Sequence, residues 1–458
     1  MLKLAFYGDD FTGSTDALEV LAFAGLRTAL FLEPPSAQTL AQAGPLDAFG
    51  IAGDSRAMTP GEMDDALPPV FDALAASGAP IVHYKVCSTF DSSPEIGSIG
   101  RAMQIARRSF GHRAIPVVGG TPSLRRYCAF GHLFARSATD DQVHRIDRHP
   151  IMRAHPVTPM HESDLRLHLA AQASLNIASL PFTRLENGPE SSAAHLQTLV
   201  SGGAEAVLFD SLTAAHLTEV GRLLTLQAAT STPLFVVGPS SVEYALSRQW
   251  RASGGIGAPS PVFERFRRVE RVLAVSASAS PLSAQQIDLA VKAGFAEFAV
   301  QAAALLDEPR WELALRQLVS EALRQLRLGK SVILHTARGP RDDRIKSAVA
   351  AMHAQGLQWE QARHEAGRRL GRRLGLATRQ ILREEPLERL LLSGGDTSSQ
   401  IVKTLAPDAL LVVARLTPGA PLCRVVSDQP WLDGLEVALK GGQMGDANFF
   451  DTARAGRT

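Results

Sequence analysis

Residues 2–25 read LKLAFYGDDFTGSTDALEVLAFAG, and this stretch sets the pattern for the rest of the chain. A nearly continuous apolar run (2–8) is followed by two aspartates and then by a helix-like stretch (14–25). Such apolar runs are typical of strands that are buried on both faces of a parallel sheet. The alternation of strand-like and helix-like stretches predicts an α/β fold.

The same alternation continues to the end of the chain. Further strands are predicted at 28–33, 48–53, 81–86, 115–120, 206–210 and 234–238, and then at 271–278, 295–300, 331–336, 389–395 and 435–442. The stretch RASGGIGAPSP (251–261) separates the two sets, and its Gly, Ser and Pro content predicts a linker. We expect two α/β domains with largely parallel sheets and an active-site cleft between them. The predicted boundaries are 1–250 for the first domain, 251–268 for the linker and 269–458 for the second domain.

Composition and charge exclude several classes of protein. Of the 458 residues, 45% are hydrophobic and 20% are charged, which is typical of globular domains and not of disordered chains. The net charge of +1 gives no indication of a nucleic-acid partner. Three cysteines without a Cys-x-x-Cys pair predict neither a disulfide framework nor a zinc ribbon. Because no signal peptide and no long apolar run occurs, we expect a soluble cytoplasmic protein with no membrane partner.

Two adjacent carboxylates, Asp9 and Asp10, stand where the first predicted strand ends. Carboxylates in this position can bind a substrate hydroxyl, act as a base or hold Mg²⁺. The alternative interpretation is a turn that caps the following helix, with Ser14 and Asp16 as part of the helix start.

Cations follow the third and fourth predicted strands. Arg56, in the stretch GDSR (53–56), has the planar geometry that clamps a carboxylate, although a surface arginine is the simpler interpretation of this motif alone. Lys85 is followed by Ser88 and Thr89, which suits an anionic, hydroxylated ligand. The alternative there is a Ser/Thr-rich loop with local turn bonds. We also expect Lys85 to lower the pKa of the nearby Cys87 thiol.

Glycine-rich stretches follow two strands of the second predicted domain. The stretch SGGDTSS (393–399) leads into a helix and would aim backbone N–H groups at phosphate, whereas the alternative is a tight turn with Asp396 or Thr397 as the helix cap. The stretch KGGQMG (440–445) allows a ligand to approach the backbone closely, or it is only a turn. Gly329-Lys330-Ser331 is not a Walker A loop, because Arg324 occupies the position of the first glycine.

Taken together, these motifs resemble the four-carbon acid sugar kinase family over about residues 1–450. The resemblance is carried by DDFTG (9–13), DSR (54–56), Lys85 with Ser88-Thr89, VSAS (275–278), Gln285, GGDT (394–397) and KGGQMG (440–445). Members of this family are ATP-dependent kinases that phosphorylate the terminal hydroxyl of small sugar acids such as threonate, erythronate and 3-oxo-tetronate. The family has an N-terminal sugar-acid domain and a C-terminal nucleotide domain, and it has no Walker A loop.

The resemblance also implies roles for individual residues. Contacts with the sugar acid are implied for Asp9, Arg56, Lys85, Ser88 and Thr89, and contacts with ATP for Ser276, Ser278, Gly394, Gly395, Asp396, Thr397 and Gly442. Asp9 is our first candidate for the group that receives the hydroxyl proton, and Asp10 is the second. Mg²⁺ is implied by ATP, but its protein ligands are unassigned.

One loop departs from the pattern of the family. Cys87 stands where the family commonly has an aspartate, a following arginine is missing, and extra residues precede Gly100. Because this loop should touch the substrate, a branched sugar acid such as 3-oxo-isoapionate is an alternative acceptor. A sugar-acid sensor without catalytic activity is an alternative of another class, although the intact ATP motifs argue against it. An NAD-dependent oxidoreductase is disfavoured because the dinucleotide-binding motif is absent. Base rate alone predicts a homodimer.

Overall fold

Strands and helices alternate through both halves of the chain. The computed structural model describes residues 2–137, 140–155, 158–229, 232–257 and 261–457, without the side chains of Pro261, Val262, Glu360, His364 and Asp396. The chain divides into two compact units, Met1–Ser260 and Pro261–Thr458.

The first unit is built on a parallel sheet. Its strands are β1 Leu4–Gly8, β2 Thr28–Phe31, β3 Ala48–Ala52, β4 Ile81–Lys85, β5 Ile115–Val118, β6 Arg126–Ala129, β7 His132–Arg136, β8 Val143–Arg145, β9 Ile177–Leu180, β10 Ala206–Phe209 and β11 Leu234–Gly238. The parallel order is β2-β3-β1-β4-β11-β5-β10-β9. Strands β1 and β4 lie near its middle, and all of their residues are buried.

Helices connect these strands and cover the sheet. They are α1 Phe11–Phe23, α2 Ala37–Gln42, α3 Pro60–Ala75, α4 Ile99–Phe110, α5 Leu165–Ala170, α6 Phe182–Leu185, α7 Pro189–Ser201, α8 Ala214–Gln227 and α9 Ser241–Ala252. One part of the core is aromatic: Tyr7 stacks on Tyr84 at 5.8 Å between ring centroids, and Phe71 packs edge-on against both rings. Such packing fixes β1 against β4, and these two strands carry the polar residues described below.

A small antiparallel sheet, β6-β7-β8, interrupts the alternation in the first unit. Our sequence analysis did not predict it, nor did it predict the strand β9. Strands β8 and β9 are short and half-exposed or exposed, so they lack the apolar signal on which the prediction relied.

The second unit also contains a largely parallel sheet. Its strands are β12 Leu273–Ser276, β13 Ala296–Ala299, β14 Val332–His335, β15 Arg389–Ser393, β16 Ala409–Thr417, β17 Ala420–Val426 and β18 Glu436–Lys440. Its helices are α10 Pro281–Lys292, α11 Ala302–Leu306, α12 Trp311–Arg327, α13 Asp343–His353, α14 Trp359–Glu384, α15 Gly395–Leu405 and α16 Phe449–Ala455. The strand order is β13-β14-β12-β15-β18-β17-β16.

The hairpin β16–β17 is the antiparallel part of this sheet, and the sequence analysis missed it. Its turn contains Pro418 and Gly419, and the φ angle of Gly419 is +76°. A Pro-Gly pair between two apolar runs is a turn signal that would have predicted the hairpin. The predicted fold class, two α/β domains with largely parallel sheets, is confirmed. Within the described residues, we find no helix with the length and apolar character needed to span a bilayer.

Candidate functional site

The order of strands in the first unit brings the predicted sugar-acid residues to one edge of the sheet. Strand β1 lies between β3 and β4, and Gly8 is in register with both Ala52 and Lys85. Asp9 and Asp10 follow β1, Arg56 follows β3, and Lys85 ends β4. The sheet therefore places a cation on each side of the two aspartates.

Arg56 is bonded to both aspartates. Its Nη2 lies 2.7 Å from Asp9 Oδ1 and 3.0 Å from Asp10 Oδ1, and its Nε lies 3.2 Å from Asp9 Oδ2. Asp10 Oδ1 also accepts the backbone N–H of Gly13 at 2.8 Å and so caps α1. Asp10 therefore both caps the helix and binds the charge of Arg56. These two roles were alternatives in the sequence analysis. Because Arg56 uses its bidentate edge on Asp9, that edge is already occupied by protein.

Lys85 reaches the other side of the cluster. Its Nζ lies 3.8 Å from Asp16 Oδ2, and its side chain is buried. A Cβ atom on Gly13 would lie 2.5 Å from this Nζ and 2.3 Å from Asp10 Oδ1. Glycine at position 13 therefore gives Lys85 and Asp10 room beside the first turn of α1. The sequence analysis treated Asp16 only as part of the helix start, and the structure instead makes it the partner of Lys85.

Burial and charge shift the pKa values in this cluster. Burial raises the pKa of the Asp9 carboxyl to about 6, although the charge of Arg56 works in the opposite direction. Burial also raises the pKa of Asp16. For Lys85, burial disfavours the charged form, but the carboxylates of Asp16, Asp10 and Asp9 outweigh it and raise the pKa. Lys85 is therefore a cation at neutral pH, and Asp9 changes charge near pH 6.

The loop after β4 contributes further polar groups. Thr89 Oγ1 donates to Asp91 Oδ1 at 2.6 Å and lies 3.0 Å from Cys87 Sγ, while Ser88 is half-buried. Burial of Cys87 outweighs the expected lowering of its pKa by the charge of Lys85. Burial, followed by the nearby Asp91 charge, raises the pKa of this thiol to about 11. Cys87 is consequently a neutral thiol and not a nucleophile at neutral pH.

A buried pair that was not predicted from the sequence joins a residue of β4 to a residue of α9. His83 Nδ1 is 2.6 Å from Glu243 Oε1, and His83 Nε2 is 2.8 Å from the carbonyl oxygen of Gly238. Because a carbonyl only accepts, Nε2 carries a proton, and a second proton lies between His83 and Glu243. The pair connects β4 to the first turn of α9. His83 lies two residues before Lys85 in β4. A histidine within an otherwise apolar strand was the available sequence signal.

In the second unit, four strand ends form a row of buried polar residues. Ser276 is in register with His335 on one side and Ser393 on the other, and Ser393 is in register with Lys440. The predicted ATP-contact residues stand in this row or in the loops that follow it. The structure therefore brings Ser276 and Ser278 together with the two glycine-rich turns at one edge of the sheet, and Gln285 lies exposed on α10 nearby in sequence.

The first glycine-rich turn leads directly into α15. Gly394 has a φ angle of +119°, and a Cβ atom there would lie 3.0 Å from the carbonyl carbon of Ala277. Gly395 begins the helix, so its first backbone N–H groups point out of the sheet edge. The hydroxyls of Ser276 and Ser398 are buried and have no hydrogen-bond partner among the described residues. The side chain of Asp396 lies outside the described part of the chain, and Thr397 is buried.

Hydroxyl groups hold the second turn. Ser280 Oγ and Ser283 Oγ both donate to the carbonyl oxygen of Gly442. A Cβ atom on Gly442 would lie 2.1 Å from Ser278 Oγ, so the backbone of the turn approaches Ser278 closely. Below it, Lys440 is fully buried, donates to the carbonyl of Gly441 at 3.3 Å, and has a pKa lowered to about 8 by burial.

The described residues contain no group of three or more His, Cys, Asp or Glu side chains that could hold a metal ion. A Mg²⁺ ion that arrives with ATP needs few protein ligands, because phosphates and water supply most of its oxygens. The partnerless hydroxyls of Ser276 and Ser398 are oxygen donors of the required type. These residues are compatible with Mg²⁺-bound nucleotide as a substrate, and they do not form a resident metal site.

The two units match known domains. A model described as a sugar-binding N-terminal domain matches residues 4–246, and one described as a nucleotide-binding C-terminal domain matches residues 273–450. Fold and site thus define a protein with one sugar-binding and one nucleotide-binding unit. The chain belongs to the four-carbon acid sugar kinase family, and the predicted family is confirmed.

Individual relatives extend over nearly the whole chain. A 3-oxo-isoapionate kinase of Paraburkholderia graminis is 44% identical over 100% of this chain and 95% of its own length. A 3-oxo-tetronate kinase of Methylobacterium radiotolerans is 30% identical over 99% of this chain and 98% of its own. A crystal structure of a Haemophilus influenzae protein is 20% identical, covers 98% of this chain and 99% of its own, and superposes with a TM-score of 0.72, which supports the fold alone. The prediction of a sugar-acid kinase is confirmed.

Gly13→Ala tests whether the side chains of Lys85 and Asp10 need the space that glycine leaves at position 13. The added methyl group should push the flexible ends of both side chains apart, with little effect on stability. We expect the KM for a sugar acid to rise about tenfold, the effect of losing one charge-assisted hydrogen bond of ~1.5 kcal/mol. Gly61→Ala is the control, because a Cβ atom on Gly61 meets nothing within 4 Å. Equal KM values for the two variants would contradict this account of Gly13.

Gly394→Ala tests the turn before α15. The φ angle of +119° and the contact with the Ala277 backbone both oppose a side chain. We expect a loss of about 1–3 kcal/mol in the stability of the second unit, together with loss of ATP binding in calorimetric titration. The control is Gly367→Ala in α14, where a Cβ atom has open space; it should be neutral or stabilise the unit by about 1 kcal/mol. Wild-type ATP affinity in Gly394→Ala would show that the turn is not a phosphate site.

Proposed function

We propose that the protein transfers the γ-phosphoryl group of ATP to a primary hydroxyl of a small sugar acid, and that the acid is 3-oxo-isoapionate or a close relative. The observation that carries the proposal is the alternation of charge at the edge of the first sheet, where Arg56 and Lys85 flank Asp9 and Asp10. A sugar acid offers both a carboxylate and hydroxyl groups, and this cluster offers a complementary partner for each.

Lys85 is the proposed partner of the substrate carboxylate. It is held near Asp16 at 3.8 Å, a distance longer than a hydrogen bond, and it therefore retains donor capacity for a ligand. Arg56 contributes from the other side, where its positive charge is already partly balanced by Asp9 and Asp10. Ser88 and Thr89 would supply hydroxyl contacts from the loop after β4. The substrate anion would thus be oriented between two strand ends.

Asp9 is the proposed acceptor of the hydroxyl proton, and Asp10 is the second candidate. Phosphoryl transfer depends mostly on positioning and charge neutralisation, with a carboxylate to orient the attacking hydroxyl. Arg56 holds both oxygens of Asp9, which fixes the direction of the carboxylate. The pKa of about 6 makes Asp9 a stronger base than an exposed aspartate while leaving it ionised at neutral pH.

The nucleotide would bind at the row of strand ends in the second unit. The turn from Gly394 to Thr397, which includes Asp396, would bind phosphate oxygens through the N–H groups of residues 395–397 at the start of α15, because the N–H of Gly394 already donates to the carbonyl of Lys440. Ser276, Ser278 and Gly442 would line the approach, since the backbone of Gly442 passes close to Ser278. Mg²⁺ would enter with ATP and neutralise phosphate charge. We place this reaction in the cytoplasm, where ATP is available. The homodimer remains a prediction, which light scattering would test.

The relatives support the choice of acceptor. The 44% identical protein is named a 3-oxo-isoapionate kinase, whereas two proteins named 3-oxo-tetronate kinases are 30% and 27% identical. The linear acid 3-oxo-tetronate is the second candidate, since the relatives that bear that name also extend over nearly the full chain.

The deciding experiment is ADP release from Mg-ATP with a panel of sugar acids. The panel contains threonate, erythronate, 3-oxo-tetronate and 3-oxo-isoapionate, and ATP binding is titrated in parallel. We expect turnover with 3-oxo-isoapionate at the highest kcat/KM. A preference for 3-oxo-tetronate would replace the acceptor but keep the kinase. ATP binding without turnover on any acid would argue against the proposed acceptors, and absence of ATP binding would overturn the nucleotide site and favour a sugar-acid sensor.

Asp9→Asn tests the proton acceptor. In the wild type, kcat should fall as the pH drops below about 6, because the Asp9 carboxylate becomes protonated there and can no longer accept a proton. The variant should lose about 10²-fold or more in kcat and should keep its affinity for ATP. Asp65→Asn, an exposed position on α3, is the matched control and should preserve both kcat and the pH profile. An unchanged kcat in Asp9→Asn removes Asp9 from the mechanism.

A further inference from the structure

The loop after β4 contains a buried carboxylate to which the roles proposed above assign nothing. Asp91 is 7% exposed and accepts the Thr89 hydroxyl at 2.6 Å. Cys87 lies against the same hydroxyl, with 3.0 Å between its Sγ and Thr89 Oγ1. Cys87 and Ser88 are half-buried, so this side of the loop reaches solvent beside the predicted sugar-acid residues.

The backbone of this loop is held in a strained conformation. Phe90 has a φ angle of +54° and is fully buried, although a bulky side chain strongly disfavours the left-handed region. His168 Nε2 donates to the Phe90 carbonyl at 3.0 Å, and Ser92 Oγ donates to it at 2.9 Å. Gln172 in turn donates to Ser92 Oγ at 2.7 Å. Strain of this kind persists where surrounding contacts enforce it, and it is concentrated at ligand sites.

The strained loop packs against the segment that contains Arg56. Gly97 donates its N–H to the carbonyl of Met58 at 2.8 Å, and a Cβ atom on Gly97 would lie 2.5 Å from the carbonyl oxygen of Arg56. Although burial works against its charge, Arg56, Thr89, Cys87 and His155 together lower the pKa of Asp91, so Asp91 is ionised at neutral pH. The loop therefore presents a fixed negative charge beside the cluster of Asp9, Asp10 and Arg56.

The ionised carboxylate of Asp91 favours ligand groups that donate hydrogen bonds and disfavours anionic groups. It repels the carboxylate of a sugar acid, which is consequently directed towards Lys85, and it accepts hydrogen bonds from hydroxyl groups. The hydroxyl that receives phosphate is already assigned to Asp9, which leaves a different hydroxyl of the acceptor for Asp91. A branched acid such as 3-oxo-isoapionate carries a second primary hydroxyl, on its hydroxymethyl branch, whereas the linear 3-oxo-tetronate does not.

We propose that Asp91, oriented by Thr89 and by the strained turn at Phe90, binds the second primary hydroxyl of the acceptor and determines the preference for a branched over a linear sugar acid. This inference rests on the proposed function, because it names the part of the acceptor that the kinase recognises. Asp91 is a binding residue in this account, and His168 and Gln172 are positioning residues.

The test is the ratio of kcat/KM for 3-oxo-isoapionate to kcat/KM for 3-oxo-tetronate. Asp91→Asn retains an acceptor for the Thr89 hydroxyl but removes the charge, and we expect the ratio to fall about 10- to 100-fold, the range for one hydrogen bond to a charged group. Most of the change should come from the branched acid. Glu95→Gln, an exposed carboxylate in the same loop, is the matched control and should leave the ratio unchanged. A ratio in Asp91→Asn equal to that of the wild type overturns the proposal.

A second pair of variants guards against loss of folding in Asp91→Asn. Thr89→Ser keeps the hydroxyl that orients Asp91, whereas Thr89→Val removes it, so the ratio should be lower in Thr89→Val than in Thr89→Ser. Equal ratios in these two variants also overturn the proposal. Failure of the wild type to phosphorylate either acid instead contradicts the proposed function, so the two failures are distinguishable in the same assay.

Discussion

The ion pairs of Arg56 with Asp9 and Asp10 are the interaction on which the first unit depends. Two adjacent carboxylates at the end of a buried strand repel each other, and Asp9 is almost fully buried. Arg56 binds both of them at 2.7 and 3.0 Å, and Lys85 stands on the opposite side. The strand order β3-β1-β4 makes this possible, because it brings a residue from each neighbouring strand end next to β1. Stability of the cluster and its proposed complementarity to a sugar acid therefore have the same physical origin.

The proposed nucleotide site of the second unit relies on backbone N–H groups, not on a cluster of charged side chains. A nucleotide carries its charge in phosphates, and backbone N–H groups at the start of a helix can bind them without a dedicated cation. Gly394 allows the chain to turn tightly against Ala277, and the serines of α10 hold the turn at Gly442. In the proposed nucleotide site these two turns take the place of a Walker A loop, and they lie at one edge of the sheet because Ser276, Ser393 and Lys440 are neighbours across it.

The sequence predicted the parts of the molecule that have a strong local signal. The strands around the site are nearly continuous apolar runs, and each predicted run contains a strand of the structure. The small sheet β6-β7-β8 was missed because antiparallel strands with half-exposed residues give a weaker pattern, whereas the hairpin β16–β17 was missed although its Pro-Gly turn lies between two apolar runs. Within the site, the residue types were predictable at strand ends, but their pairing was not. Asp16 appeared to belong to a helix start, and Cys87 appeared to be activated by its neighbour Lys85.

By itself, the sequence determined the α/β class and the set of polar residues at the strand ends, since each depends on local composition and periodicity. Only the tertiary structure decided which charges meet. Arg56 and Asp9 are 47 positions apart in sequence, and Thr89 and Asp91 meet through a loop whose conformation is enforced by His168 from a distant helix. Partner choice and burial set the pKa values of Asp9, Lys85 and Cys87, and neither is a property of a single stretch of sequence.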